Sequence, residues 1–160
     1  MDALQKVNDL SQMRQIRAAM EERGASLVFT NGCFELLHVG HVRYLQAARA
    51  LGDVLAVGLN SDRSVRAIKG PRRPLVPQAE RAEMLAALEC VDYVTLFDED
   101  TPHALLHLLR PDLLVKGGTT PVVLGREVVE AYGGRVVTVD MVEGLSTTRI
   151  IEKVLRSSGK

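Results

Sequence analysis

The 160-residue chain has no tryptophan, two cysteines, 4% aromatic residues and no net charge, because twenty Lys and Arg balance twenty Asp and Glu. Each shortage excludes something. Cys33 and Cys90 fall in different expected elements, which excludes a disulfide framework or a cysteine zinc cluster and suits a reducing compartment. Charge balance leaves no overall field for nucleic acid or an anionic membrane, so any anion must be bound by local arrangement. The opening MDALQKVNDLSQ has no apolar signal core, and no run approaches the ~18 apolar residues of a spanning helix. The expectation is a cytoplasmic protein without membrane or nucleic-acid partners. Two phosphate-binding signatures are also missing. There is no G-x-G-x-x-G after the first strand and no G-x-x-x-x-G-K-[ST] anywhere, which excludes dinucleotide oxidoreductases and P-loop NTPases.

What is present is an ordinary globular composition, 46% hydrophobic and 25% charged, at a length that suits one domain (residues 1–160). Met13, Ile16 and Met20 repeat at helical spacing and predict a leading helix in an N-terminal extension (1–25) ahead of a core (26–156). Apolar runs predict strands at 26–30, 53–59, 92–97, 112–118 and 135–140. Helices are expected at 41–51, 78–90, 102–110, 126–134 and 146–158. Residues 60–77, punctuated by Gly70, Pro71, Pro74 and Pro77, read mostly as loop. Such alternation implies an α/β fold, a Rossmann-like doubly wound five-stranded parallel sheet. In these sheets ligands sit outside the carboxyl ends of the strands, at a topological switch point.

The segments that follow the strands carry the chemistry. His38 and His41 stand three apart at a helix start with Gly40 between them, and a helix N-terminus already favours a phosphate. The plain alternative is one capping and one packing histidine. A metal pair is disfavoured, since apart from Glu35 no ligand lies at matching spacing. Lys69, Arg72 and Arg73 form a basic loop that a solvated surface explains as well as an anion does. Arg81 has the reach for a bidentate grip on a phosphate, or belongs to an i,i+4 surface pair. Ser146, Thr147 and Thr148 open the last helix with hydroxyls, either as a cap or as a phosphate cradle. Lys116, Gly117 and Gly118 close the fourth strand where backbone can approach a planar base, or simply turn. Asn60 and Asp62 have turn formation as their rival reading. Cys33 and Phe34 are expected to supply backbone contacts and packing, and neither cysteine has a base beside it. His103 and His107 read as surface or packing residues.

At this point a resemblance becomes specific. TNGCFELLHVGH resembles the signature of the H-x-G-H nucleotidyltransferase superfamily. VGLNSD, KGPRRP, ERAEMLAALECVDYV, RPDLLVKGG and EGLSTTRII continue the likeness over about residues 10–155. The most similar branch is the adenylyltransferases of ADP-heptose synthesis. The resemblance implies transfer of a nucleotidyl group from ATP, with Mg2+, to a sugar 1-phosphate, with release of pyrophosphate. The acceptor it implies is D-glycero-β-D-manno-heptose 1-phosphate. It assigns His38, His41 and Lys69 to catalysis. Thr30, Asn31, Gly32, Cys33, Phe34, Gly40, Lys116, Gly117, Gly118, Glu143, Gly144, Ser146, Thr147 and Thr148 go to the nucleotide. Glu35, Asn60, Asp62, Arg72, Arg73 and Arg81 go to the acceptor, and no residue is assigned to a metal. A homodimer is a further expectation. No sugar-kinase domain fits in this length, so a separate kinase is expected to supply the substrate.

Close relatives carry Asp where this chain has Glu35, and Asp-Tyr where it has Thr119 and Thr120, in a loop that is a few residues shorter here. These departures bear on the acceptor more than on the reaction. Two other functions remain open: cytidylyl transfer from CTP to glycerol 3-phosphate or another polyol phosphate, and nucleotide binding without turnover. The glycerol-phosphate branch carries Arg where this chain has Met141, which favours ATP.

Overall fold

The computed structural model describes residues 2–118, 122–141 and 144–159. A 3-10 turn at Ala3–Lys6 leads into α1 (Leu10–Glu22), β1 (Leu27–Gly32), α2 (Val39–Arg49) and β2 (Val54–Asn60). Then come α3 (Asp62–Lys69), α4 (Gln78–Ala86), β3 (Tyr93–Phe97), α5 (His103–Leu109) and β4 (Leu113–Gly117). The chain closes with α6 (Arg126–Ala131), β5 (Arg135–Val139) and α7 (Thr147–Ser157). Thr119, Thr120 and Glu143 lie outside the described residues.

The strands form one parallel sheet in the order β3-β2-β1-β4-β5. Val28 of β1 is paired with both Leu55 and Leu113, so the strand order reverses between β1 and β4. That is the switch point at which doubly wound sheets leave a crevice. Alternate side chains feed two apolar layers. On one face Val28, Leu55, Val57 and Val115 meet Leu45 and Ala48 of α2 and Leu85 and Ala86 of α4. On the other, Leu27, Phe29 and Leu114 meet Met13 and Met20 of α1, Leu105, Leu106 and Leu109 of α5, and Val129 of α6. The leading helix therefore packs on its own sheet, with Met13 and Met20 fully buried.

One expected loop is a helix. Residues 62–69 form α3 because Ser61 caps it, its hydroxyl accepting the Ser64 backbone N–H at 3.1 Å, and because Ser64 and Val65 are buried beneath it. Gly70 and the prolines that suggested a loop only end this helix. Asp9 starts α1 in the same way, and Gln12 reaches back to complete a capping box.

Candidate active site

β1 delivers the chain to the crevice, where it turns through Cys33–Leu37 into α2. Phe34, buried at the turn, holds φ +44°. A non-glycine residue in that region costs ~1–3 kcal/mol and persists only where its surroundings enforce it. His38 is the N-cap residue of α2 and His41 its third residue. The two rings stack with centroids 3.9 Å apart, and Phe34 tilts against His41 at 5.3 Å. The His38 backbone N–H donates to His41 Nδ1 at 3.4 Å, which places the proton of a neutral His41 on Nε2. Burial first, then His38 and Lys69, push His41 down to about 4. At neutral pH it is therefore an uncharged donor facing the cavity. Burial also lowers His38, whose Nδ1 has no partner among the described residues. Gly40 is required by this stack, because an added Cβ would lie 2.9 Å from the His38 ring.

Glu35 lies in the same turn with its carboxylate fully buried. It accepts a fork from Arg73, with Nε at 2.7 Å and Nη2 also bonded, together with Lys69 Nζ at 3.3 Å and the Leu75 backbone N–H at 3.3 Å. Burial acts to raise this carboxyl, but the Arg73 hydrogen bonds and the Lys69 and Arg73 charges outweigh it and hold it below the usual glutamate range. Glu35, expected at the acceptor, thus pins the segment that brings Lys69 to the site. Arg72 stays exposed.

Arg81 requires a correction. Its guanidinium is 1% exposed and donates to the carbonyls of Val76 at 2.9 Å, Cys33 at 2.7 Å and Asn60 at 2.9 Å, and to Asp62 Oδ1 at 2.8 Å. Four of its five N–H donors are committed inside the protein, which leaves no bidentate grip for an acceptor phosphate, nor does it form the alternative surface pair. It joins the β1–α2 turn, the end of β2, the start of α3 and the segment before α4. Asp62 and Asn60 are engaged in the same knot, and the Asn60 amide donates to Ser64 Oγ at 2.9 Å. Thr30 also leaves the nucleotide set by its side chain. It is buried 2.6 Å from the Tyr44 hydroxyl, which donates to the Val115 carbonyl at 2.9 Å.

Part of the expected set converges on a cavity of about 280 Å³ at the strand mouth, whereas His38, Gly40, Gly118, Ser146 and Thr148 are not among its lining residues. The β1–α2 turn lines it from Asn31 to Glu35. His41, Lys69, Lys116, Gly117 and Thr147 complete it, along with two residues that sequence reasoning did not assign, Tyr44 and Met141. Tyr44 stands three residues after His41, so helical spacing was the available signal. Gly117 has a packing reason, since an added Cβ would meet Met141 Sδ at 2.4 Å and Tyr44 at 3.3 Å. Ser146 caps α7 by accepting the Arg149 N–H at 3.1 Å, and Thr147 Oγ1 donates to the Leu36 carbonyl at 3.4 Å. Thr148 and Gly144 are exposed. Lys116 is deep in the crevice, its ammonium 2.5 Å from Asn31 Oδ1 and 3.4 Å from the Asn31 carbonyl, and burial pulls it down to about 8. Burial raises the Cys33 thiol, so it is no thiolate nucleophile at neutral pH.

A switch-point crevice lined by His41, Lys69 and Lys116, with no glycine-rich phosphate loop, defines a protein of the α/β nucleotidyltransferase class. Comparison with known proteins agrees. The cytidylyltransferase-like family model matches residues 29–153, and the chain belongs to that family. It is 59% identical over 157 residues to the bifunctional protein HldE of Geobacter sulfurreducens, which covers 97% of this chain and 32% of the relative. To the HldE of Syntrophotalea carbinolica it is 57% identical, over 94% of this chain and 31% of the relative. The chain spans about a third of the length of these curated relatives. Two solved structures share the fold. A lipopolysaccharide core biosynthesis protein of Thermoplasma volcanium aligns at TM-score 0.62 and 24% identity, over 74% of this chain and 97% of its own. A pantoate–β-alanine ligase of Francisella tularensis, complexed with beta-gamma ATP and β-alanine, aligns at 0.59 and 15% identity, over 94% of this chain and 78% of its own.

Proposed function

We propose that this chain transfers the adenylyl group of ATP to D-glycero-β-D-manno-heptose 1-phosphate, giving ADP-heptose and pyrophosphate. The observation that carries the reading is the neutral His41 Nε2 donor sharing one cavity with Lys69 and Lys116. An acceptor phosphate oxygen is already anionic, so the reaction needs no strong base. It needs donor and acceptor held in line and charge neutralised around the α-phosphorus. The acceptor oxygen bonds to the α-phosphorus, the bond to the bridging oxygen breaks, and pyrophosphate leaves. His38, His41, Lys69 and the amino end of α7 hold the triphosphate, and Gly117 and Gly118 with Met141 border the nucleoside. Met141, where the glycerol-phosphate branch carries Arg, supports ATP over CTP.

Mg2+ accompanies the triphosphate in this reading and neutralises charge on its oxygens. Among the described residues no three His, Cys, Asp or Glu side chains form a metal-binding group, so the ion is assigned to the phosphates. We assign residues 1–160 to one nucleotidyltransferase domain, and this chain spans about a third of relatives that are named bifunctional. A homodimer and a cytoplasmic location belong to the same reading. Val154 and Leu155 of α7, each more than half exposed, offer apolar contact for a second copy, and among the described residues no helix is long and apolar enough to cross a membrane. Pyrophosphate release, with ATP and CTP each crossed against heptose 1-phosphate, other sugar 1-phosphates and glycerol 3-phosphate, tests the proposal. Turnover is expected with ATP and heptose 1-phosphate. Turnover with CTP alone, or only with glycerol 3-phosphate, would overturn the substrate assignment.

A further inference from the structure

Tyr44 lines the cavity, yet the transfer chemistry gives it no part, and its hydroxyl is spent inside the sheet. The reason lies in the register. β1 is paired with β2 along its whole length, from Leu27↔Val54 to Gly32↔Leu59, and β4 with β5 from Leu113↔Arg135 to Gly117↔Val139. Between β1 and β4 the pairing covers only Val28↔Leu113 and Phe29↔Leu114. Thr30 and Val115 would form the next pair and do not. The two strands part there, in the middle of the sheet, and the cavity lies at the mouth of that parting.

The Tyr44 side chain fills the missing rung. Its hydroxyl donates to the Val115 carbonyl at 2.9 Å and, with its one proton committed, accepts the Thr30 hydroxyl at 2.6 Å. Thr30 and Val115 are fully buried and Tyr44 is 6% exposed, so the bridge stands out of reach of solvent. Burial outweighs the opposite pull of the Thr30 hydrogen bond and pushes Tyr44 up to about 12, so it keeps its proton throughout the neutral range. His41 stands one turn back along α2, on the same helix face. Gly117, two residues beyond Val115, lies against the ring, where an added Cβ would come 3.3 Å from Cε2. A single side chain thus ties β1, β4 and the helix that carries His41.

We propose that Tyr44 is a positioning residue for the transfer: its hydroxyl, standing in for the absent β1–β4 rung, fixes the width of the crevice and the place of His41 within it. This rests on the nucleotidyl-transfer reading, in which the triphosphate is held from α2 and the nucleoside is bordered by the end of β4. Crevice width is then the distance between those two grips. In-line attack tolerates little error, and a displacement of ~1 Å can cost about 100-fold in rate. ATP has enough rotatable bonds to keep both grips when the strands shift, so its binding changes less than the alignment of its α-phosphorus.

The test is a double-mutant cycle on the full chain with Tyr44→Phe, Thr30→Val and their combination, assayed well below each melting midpoint. Tyr44→Phe removes the bridge and keeps the ring. It is expected to lower kcat for pyrophosphate release with ATP and heptose 1-phosphate about 10- to 100-fold, with the KM for ATP within about 3-fold. Thr30→Val leaves the link from Tyr44 to Val115 and should cost less. The double variant should match Tyr44→Phe, because the two hydroxyls form one bridge. A kcat within about 2-fold of wild type in Tyr44→Phe, a loss carried by KM alone, or single losses that multiply in the double variant would overturn the proposal. A second readout needs no turnover. NMR titration of the histidine rings should find His41 taking up its proton at about 4 in the wild type and nearer the ordinary ~6.5 in Tyr44→Phe, because its place in the crevice is what buries it. An unmoved His41 would also overturn the proposal, since a brace that serves overall stability alone leaves the ring where it is. A wild type that releases no pyrophosphate with any pair, while Tyr44→Phe still moves His41, would sink the transfer reading and leave the brace standing.

Discussion

His41 and Arg81 are both cationic residue types that the sequence placed near phosphate, and the structure separates them by what surrounds each. His41 has a hydrogen bond to Nδ1 and an open cavity on its other side. Arg81 has protein acceptors on every side. Nothing in QAERAEM distinguishes such a buried arginine from a surface one, because three of its four partners are backbone carbonyls, which every residue carries. The position of His38 and His41 at the start of α2 was legible because they follow an apolar strand and open a helical repeat. Replacing Arg81 with Ala strands Asp62 and three carbonyls, a loss of about 3–5 kcal/mol by analogy with broken buried ion pairs. Urea denaturation should show it as a large drop in midpoint. A change below about 0.5 kcal/mol, the size of an ordinary surface substitution, would show that the knot carries no stability.

Two elements set the site, and each can be disturbed alone. The amino end of α2 depends on Gly40, since a methyl there collides with the His38 ring. Gly40→Ala should therefore leave the melting curve near wild type while lowering turnover about 10-fold or more, on the usual size of a positioning loss; unchanged turnover would deny the stack a role. The segment from Lys69 to Leu75 depends on Glu35. Glu35→Gln removes the charge that holds Arg73 and Lys69, with an expected rise of about 10-fold in the KM for ATP, and Glu35→Asp should recover most of it. Equal damage from both variants would point to shape rather than charge. Most of the fold's other elements were readable from apolar periodicity, including the leading helix from the repeat of Met13, Ile16 and Met20. The exceptions were the 3-10 turn at Ala3–Lys6 and α3, where Gly70 and the prolines outweighed a single Ser61 cap and the buried Val65.

At the scale of the whole molecule, the parallel sheet brings β1, β4, α2, α3 and α7 to one mouth, and the groups buried there tie the fold to pH. The His41 ring stays neutral in the folded protein down to about 4, whereas an unfolded histidine binds its proton near ~6.5. Glu35, Asp53, Asp98 and Glu127 are also held below their ordinary values when folded. In each of these cases the unfolded chain binds the proton first, so what these groups contribute is fully present above about pH 6.5 and declines as pH falls. The urea midpoint should be lower at pH 5 than at pH 7; a higher midpoint at pH 5 would contradict these assignments. In the proposed function this mouth transfers a nucleotidyl group and does not merely hold a nucleotide. Its most direct test compares His41→Ala with wild type for ATP affinity and for pyrophosphate release with heptose 1-phosphate. Turnover should fall at least ~100-fold, the scale of one lost transition-state donor, while ATP affinity changes by less than about 10-fold. Equal losses in binding and turnover, or no turnover even in the wild type, would contradict it.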